Sequence, residues 1–156
     1  MAGVYSINSP ERLFLKLERS FTEFTQSPSE DGIFDVIFPL YHLREWICPG
    51  GWDSYGAKPE GARTPEERLH DHLHTMKEYQ VVRALCNNAK HYADKDGLAD
   101  RADVVHGATA GLARAGDSLG VTHFTVDGRD VRDYFWPVYQ VYASYFKGEP
   151  VPTEAS

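Results

Sequence analysis

The sequence predicts a mainly α fold, a four- to five-helix bundle with a small β-hairpin inserted before the last helix. Three observations predict it. Apolar residues recur at three- and four-residue spacing in four separate segments. Two of those segments open on helix-start signals, Ser9-Pro10 and Thr64-Pro65. Runs of β-branched residues are confined to two short stretches, 103–106 and 121–126, ahead of the last helical segment.

Taken in order, Ser9-Pro10-Glu11 supplies a capping hydroxyl, a proline at the first helical position and an acid near the positive helix end. Leu13, Leu17, Phe21 and Phe24 then form a stripe that fades near Gln26, where Ser27-Pro28-Ser29 is loop chemistry. A second helix is predicted from about Asp31 to Ile47. It is apolar nearly all round, which predicts a place in the middle of the core, and Pro39 is expected to bend it. Residues 50–63, with four glycines and no period, predict a long loop.

Thr64 with Glu67 three residues on reads as a capping box, opening a third helix that extends to about Tyr92. Its early apolar residues, Leu69, Leu73 and Met76, fall on one face. Its later ones, Val82, Leu85, Ala89 and Tyr92, fall roughly opposite. Such a helix either bends midway or meets different neighbours at its two ends. Strands follow at 103–106 and 121–126, separated by a Gly- and Ala-rich stretch that is either a long hairpin connection or a further strand. Asp127-Gly128 is a turn, and 129–147 is the last helix despite Pro137. Residues 1–148 are expected to form a single domain and 149–156 a disordered tail.

The chain has 156 residues, 42% hydrophobic and 25% charged, enough for one core. No apolar run approaches the roughly 20 residues that cross a bilayer, and no signal peptide is evident. Two isolated cysteines, Cys48 and Cys86, fit a reducing compartment, so a cytoplasmic location is expected. The net charge of −7 argues against tight non-specific binding to a polyanion and favours encounter with a basic partner.

Arg83, Asn87 and His91 are four apart, so each is rotated by about 40° from the last along one helical stripe, with Lys90 beside it. That stripe continues the line of Leu69, Leu73 and Met76, which predicts partial enclosure. Histidine exchanges protons near neutral pH, arginine offers a fork to phosphate oxygens, and asparagine orients a ribose or the imidazole. Together the three are candidates for metal-independent cleavage of RNA. The alternative is that Asn87, Lys90 and His91 satisfy main-chain carbonyls of a neighbouring helix and the 93–103 loop. His42 and Arg44, polar insertions in the second helix, are expected to reach this stripe and complete a substrate pocket with Tyr41. For His42, a bond to Glu45 or Glu78 is the other reading.

Pro39-Leu-Tyr-His-Leu-Arg-Glu-Trp46 and Asn87-Asn-Ala-Lys-His91 resemble elements of a group of uncharacterised bacterial and prophage helical proteins. That group has a His-x-x-x-Trp helix, an Asn-x-x-Lys-His helix, a strand ending in Asp-Gly and an aromatic-rich last helix. The likeness covers most of residues 10–147. A further resemblance is to the HEPN superfamily of four- to five-helix bundles, many of them RNases of toxin–antitoxin, abortive-infection and CRISPR systems. It implies Arg83 as the phosphate-binding residue and His91 as the proton-transfer residue, in a site usually completed across a dimer. The departure is that seven residues separate Arg83 from His91 where the superfamily has four to six. Along an unbroken helix their Cα atoms lie about 12 Å apart.

Five histidines remain, His72 among them. His70 and His74 are placed to share an ion with Glu67 or Asp71, but no further ligand is forced, so they read as rim histidines and neither metal nor cofactor is expected. His106 and His123 are expected to face each other and are assigned no role. The aromatics between Tyr134 and Phe146 exceed what one buried face hides and point to a homodimer face or a protein-binding patch. Two functions follow from this reading: a HEPN-like endoribonuclease of a defence or mobile-element system with an RNA substrate, or a non-enzymatic protein-binding module. The latter would be a phage-encoded inhibitor or an antitoxin-like subunit.

Overall fold

The computed structural model describes residues 5–91 and 97–151, with the main chain alone of Lys90 and His91. Its elements run α1 (Pro10–Gln26), α2 (Glu30–Ile47), α3 (Gly51–Tyr55), a 3₁₀ turn (Glu60–Ala62), α4 (Pro65–Thr75), α5 (Lys77–His91), β1 (Ala102–His106), β2 (Thr122–Val126), β3 (Arg129–Asp130) and α6 (Val131–Phe146). The protein is mainly helical, with a small antiparallel sheet placed before the last helix, as the sequence predicts.

Ser9 and Thr64 cap their helices as the sequence predicts, and Ser29, in the segment that reads as loop, caps α2. Ser9 Oγ accepts from Arg12 N at 3.3 Å and Ser29 Oγ from Gly32 N at 3.0 Å. Thr64 Oγ1 accepts from Glu67 N while Glu67 Oε2 accepts from Thr64 N, closing the capping box of α4. Thr64→Ala is expected to lower stability by about 1 kcal/mol, read as a shift in the urea midpoint at unchanged slope.

Both proline-containing helices continue through their prolines, each by the same device. Pro39 has no N–H for the Asp35 carbonyl four residues back. Lys16 Nζ of α1 donates to that oxygen at 3.4 Å instead, and also lies 4.0 Å from the Asp35 carboxylate. Pro137 leaves the Asp133 carbonyl without its helical donor, and Arg129 Nη2 donates to it at 3.2 Å.

The single helix expected from 64 to 92 is two helices, joined at Met76. This residue alone leaves the helical region, with ψ 128°, and caps α4 through its N–H to Leu73 O. The break reorients the chain, so Leu69 and Leu73 on α4 and Val82 on α5 all reach full burial although their faces oppose along a straight helix. The long loop expected at 50–63 is also ordered into α3 and the 3₁₀ turn. Tyr55, 1% exposed, holds it in place: its hydroxyl bonds to His70 Nδ1 at 2.7 Å, and the Arg63 guanidinium covers its ring at 4.9 Å.

The sheet has the order β1-β2-β3. Asp127 and Gly128 turn β2 into β3 with φ of 54° and 73°, the left-handed pair of a two-residue hairpin turn. The 107–120 stretch is a connection without a strand of its own. Val105 pairs with His123 and His106 with Thr122, so the two histidines point to opposite faces of the sheet and do not meet. On the outer edge of β1, Ala102 N–H donates to Leu98 O and Val104 N–H to Asp103 Oδ1, which blunts the edge against strand addition.

One core cluster joins α1, α2, α4, α5, α6 and β2. The surplus aromatics of α6 find partners inside the chain. Phe14 and Phe21 of α1 stack on Tyr139 at 5.8 and 5.0 Å, and Phe14 stacks on Phe146 at 4.7 Å. Trp136 stays 48% exposed at the end of this ladder. Of the expected disordered tail, Val151 packs against the core cluster, and 152–156 lie outside the described residues.

Candidate functional site: an aromatic groove on α2

The second helix is not enclosed on all sides. Val36, Leu40, Leu43 and Ile47 fill its inner face, and an outer face remains. Phe34, Phe38, His42 and Trp46 recur every four residues along that outer side, drifting by about 40° per step. Phe34 is 54% exposed and Phe38 51%. Around them lies an open groove of about 610 Å³, bordered by Lys16 of α1 and by Cys86 and Ala89 of α5. Its lining is mainly carbon. Its polar points are Lys16, Asp35 and His42; the His42 ring contacts Phe38 at 4.4 Å between centroids and its Nδ1 lies 2.8 Å from Glu45 Oε2.

Of the residues singled out in the sequence, the structure brings His42, Tyr41 and Arg83 to one region. Tyr41 is half-buried and stacks on Tyr79 at 6.0 Å. Burial, reinforced by Glu45, raises the pKa of its phenol, and the charge of nearby Arg83 opposes the rise. Arg83 is exposed, with a 3.4 Å contact to Gln80 Oε1, and Asn87, one turn on, is half-buried. The side chains of Lys90 and His91 lie outside the described residues.

Arg44 turns away from the groove. Its Nε donates to His70 O at 2.9 Å, its Nη2 to His70 Nδ1 at 3.1 Å, and its guanidinium lies 5.4 Å from the Tyr79 ring centre. It therefore ties α2 to α4 and α5, where a substrate contact was expected.

No family model, curated protein or solved structure matches the chain.

Two buried polar centres differ from the sequence reading. The first is built on His70, expected at the rim but buried: its Nδ1 accepts from both Tyr55 and Arg44, so the proton of the neutral ring sits on Nε2. Burial, then the Arg44 charge, pushes its pKa down to about 4. The second surrounds Arg132, 1% exposed. It binds both carboxylate oxygens of Asp117, at 2.9 and 3.2 Å, and Asp130 at 3.0 Å, and it donates to Thr25 O at 3.3 Å. His123 Nδ1 lies 3.2 Å from Asp130, and His123 Nε2 has no hydrogen-bond partner among the described residues. Both centres join elements within the bundle and neither borders the groove. Among the described residues no group of three His, Cys, Asp or Glu is placed to hold a metal ion, and no helix is long and apolar enough to cross a membrane.

The sequence did carry a signal for the groove. Once Val36, Leu40, Leu43 and Ile47 occupy one face of the helix, Phe34 and Phe38 are left for another.

Proposed function

We propose that the chain is a non-enzymatic protein-binding module whose partner docks on the outer face of α2. One observation carries this reading: two half-exposed phenylalanines, one turn apart, stand over an apolar groove. Full burial of a phenylalanine is worth about 1.5–3 kcal/mol, so covering the open half of each ring gives a partner a substantial apolar gain. Of the residues expected to bind and cleave RNA, two of those described support catalysis less well. Arg44 is committed to His70, and Arg83 is exposed to water, where its hold on an anion is weak.

The second reading, a HEPN-like metal-independent endoribonuclease, has in its favour that the exposed Arg83 guanidinium stands one turn from Asn87 on the same stripe. Two measurements separate the readings. A photo-crosslinking phenylalanine analogue at position 38 is expected to form an adduct with a discrete protein in cells, while the same analogue at Trp136 does not. Purified protein is expected to leave labelled RNA intact without metal. Cleavage that disappears in Arg83→Ala and His91→Ala would replace the binding reading with the enzymatic one.

A further inference from the structure

We infer that the occupant of the α2 face is a basic amphipathic helix of a partner protein. The inference rests on the protein-binding reading above and names the chemistry of the partner. The α2 side of the groove runs from Phe34 to His42, about 12 Å, the length of a two-turn helical contact. The groove runs with α2 between its neighbours, so a helix laid along it presents apolar side chains at three- and four-residue spacing to Phe34 and Phe38.

The acids of α2 decide the charge of that partner helix: Asp35 lines the groove, and the others lie along α2 outside its lining. Glu30, Asp31, Asp35 and Glu45 are all exposed along α2. Against them, among the described side chains, stand Lys16, already 4.0 Å from Asp35, and Arg83. The chain as a whole carries −7. An apolar stripe flanked by lysine or arginine complements these acids and is steered toward them.

The same charges disfavour a second copy of this chain. Asp31 and Glu45 each lie seven residues from Phe38, so two antiparallel α2 helices centred on Phe38 set Asp31 of one opposite Glu45 of the other. A parallel pair sets each acid opposite itself. Like charges directly across an interface weaken it.

The test uses the full chain and three labelled 14-residue peptides, read by fluorescence anisotropy. The first is a Leu/Lys helix with apolar residues at three- and four-residue spacing. The second has glutamate for every lysine, and the third is the Leu/Lys composition scrambled to destroy the period. The Leu/Lys helix is expected to bind, and the other two to bind at least about tenfold more weakly. Phe34→Ala with Phe38→Ala should weaken binding about tenfold with the thermal midpoint held within a few degrees. If the pair unfolds, Phe38→Ala alone serves. Trp136→Ala, on the α6 side, should leave binding unchanged. Asp31→Asn with Asp35→Asn should weaken it several-fold and reduce its salt dependence.

Equal binding by the Phe34/Phe38 variant would mean general charge attraction and would overturn the inference, as would binding of the Leu/Glu peptide or no binding of the Leu/Lys helix. If the position-38 adduct forms in cells while the Leu/Lys helix fails, the partner's chemistry is wrong and the protein-binding reading stands. If the adduct fails as well, both fall. A dimer in sedimentation equilibrium that Phe38→Ala dissolves would put a second copy on this face and overturn the inference.

Discussion

Replacing Arg132 with alanine is expected to remove about 3–5 kcal/mol of stability at pH 7, the largest effect of any substitution considered for this chain. The guanidinium is 1% exposed and reaches Asp117, Asp130 and the Thr25 carbonyl, so it joins the end of α1, the 107–120 connection and the start of α6. Asp130 also caps α6, accepting from Arg132 N at 2.8 Å. Deleting the cation leaves two carboxylates without their counter-charge in a dry site. Lysine should rescue poorly, because one ammonium does not reproduce a fork that meets both Asp117 oxygens.

The pH behaviour carries a defined sign. Hydrogen bonds from Arg132 are the chief cause of the drop in the Asp117 pKa to about 2. Burial pushes Asp130 up, but its bonds to Arg132 hold it below the usual carboxylate range. Groups with depressed folded pKa values stabilise the fold above the unfolded value near 4 and lose that contribution as pH falls toward 2. Urea unfolding of wild type and Arg132→Ala should therefore differ most at neutral pH and converge near pH 2. A loss under about 1 kcal/mol at pH 7 would sink the assignment.

The second large effect falls in a different window. His70 has a folded pKa of about 4, caused first by burial and then by Arg44. An unfolded histidine titrates near 6.5, so the unfolded chain binds the extra proton first. Stability from this group is complete above pH 6.5 and declines as pH falls toward 4, by on the order of 3 kcal/mol in all. Protonation also sets a charge on Nδ1 against the Arg44 guanidinium 3.1 Å away. His70→Gln should flatten the slope of stability against pH between 6.5 and 4, measured by thermal midpoints across that range. An unchanged slope would show that another group titrates there.

What was legible in the sequence was local. Ser9-Pro10 and Thr64-x-x-Glu67 marked their helix starts because the capping groups sit within a turn of the amides they satisfy. The shift of apolar face along 64–92 registered a discontinuity, but not its location at Met76: α4 and α5 each pack against both α2 and α6, and only the break lets their opposed faces do so. The 50–63 segment was illegible because its order comes from His70 and Arg63, eight or more residues away from Tyr55. His123 and Arg132 looked unremarkable for the same reason: Asp117, Asp130 and Thr25 converge on them through the tertiary fold. The helical stripe of Arg83 and Asn87 was legible. Whether it is sheltered was not, since shelter depends on what lies across from α5.

The carbonyls freed by the two interior prolines are served from different places. The Asp133 oxygen is served by Arg129 of β3, which leads directly into α6, so the donor comes from the adjoining chain segment. The Asp35 oxygen depends on Lys16, borrowed from α1. The middle of α2 is therefore fully bonded only while α1 lies against it. Amide exchange in the middle of α2 is expected to follow the opening of α1, and exchange in α6 is not.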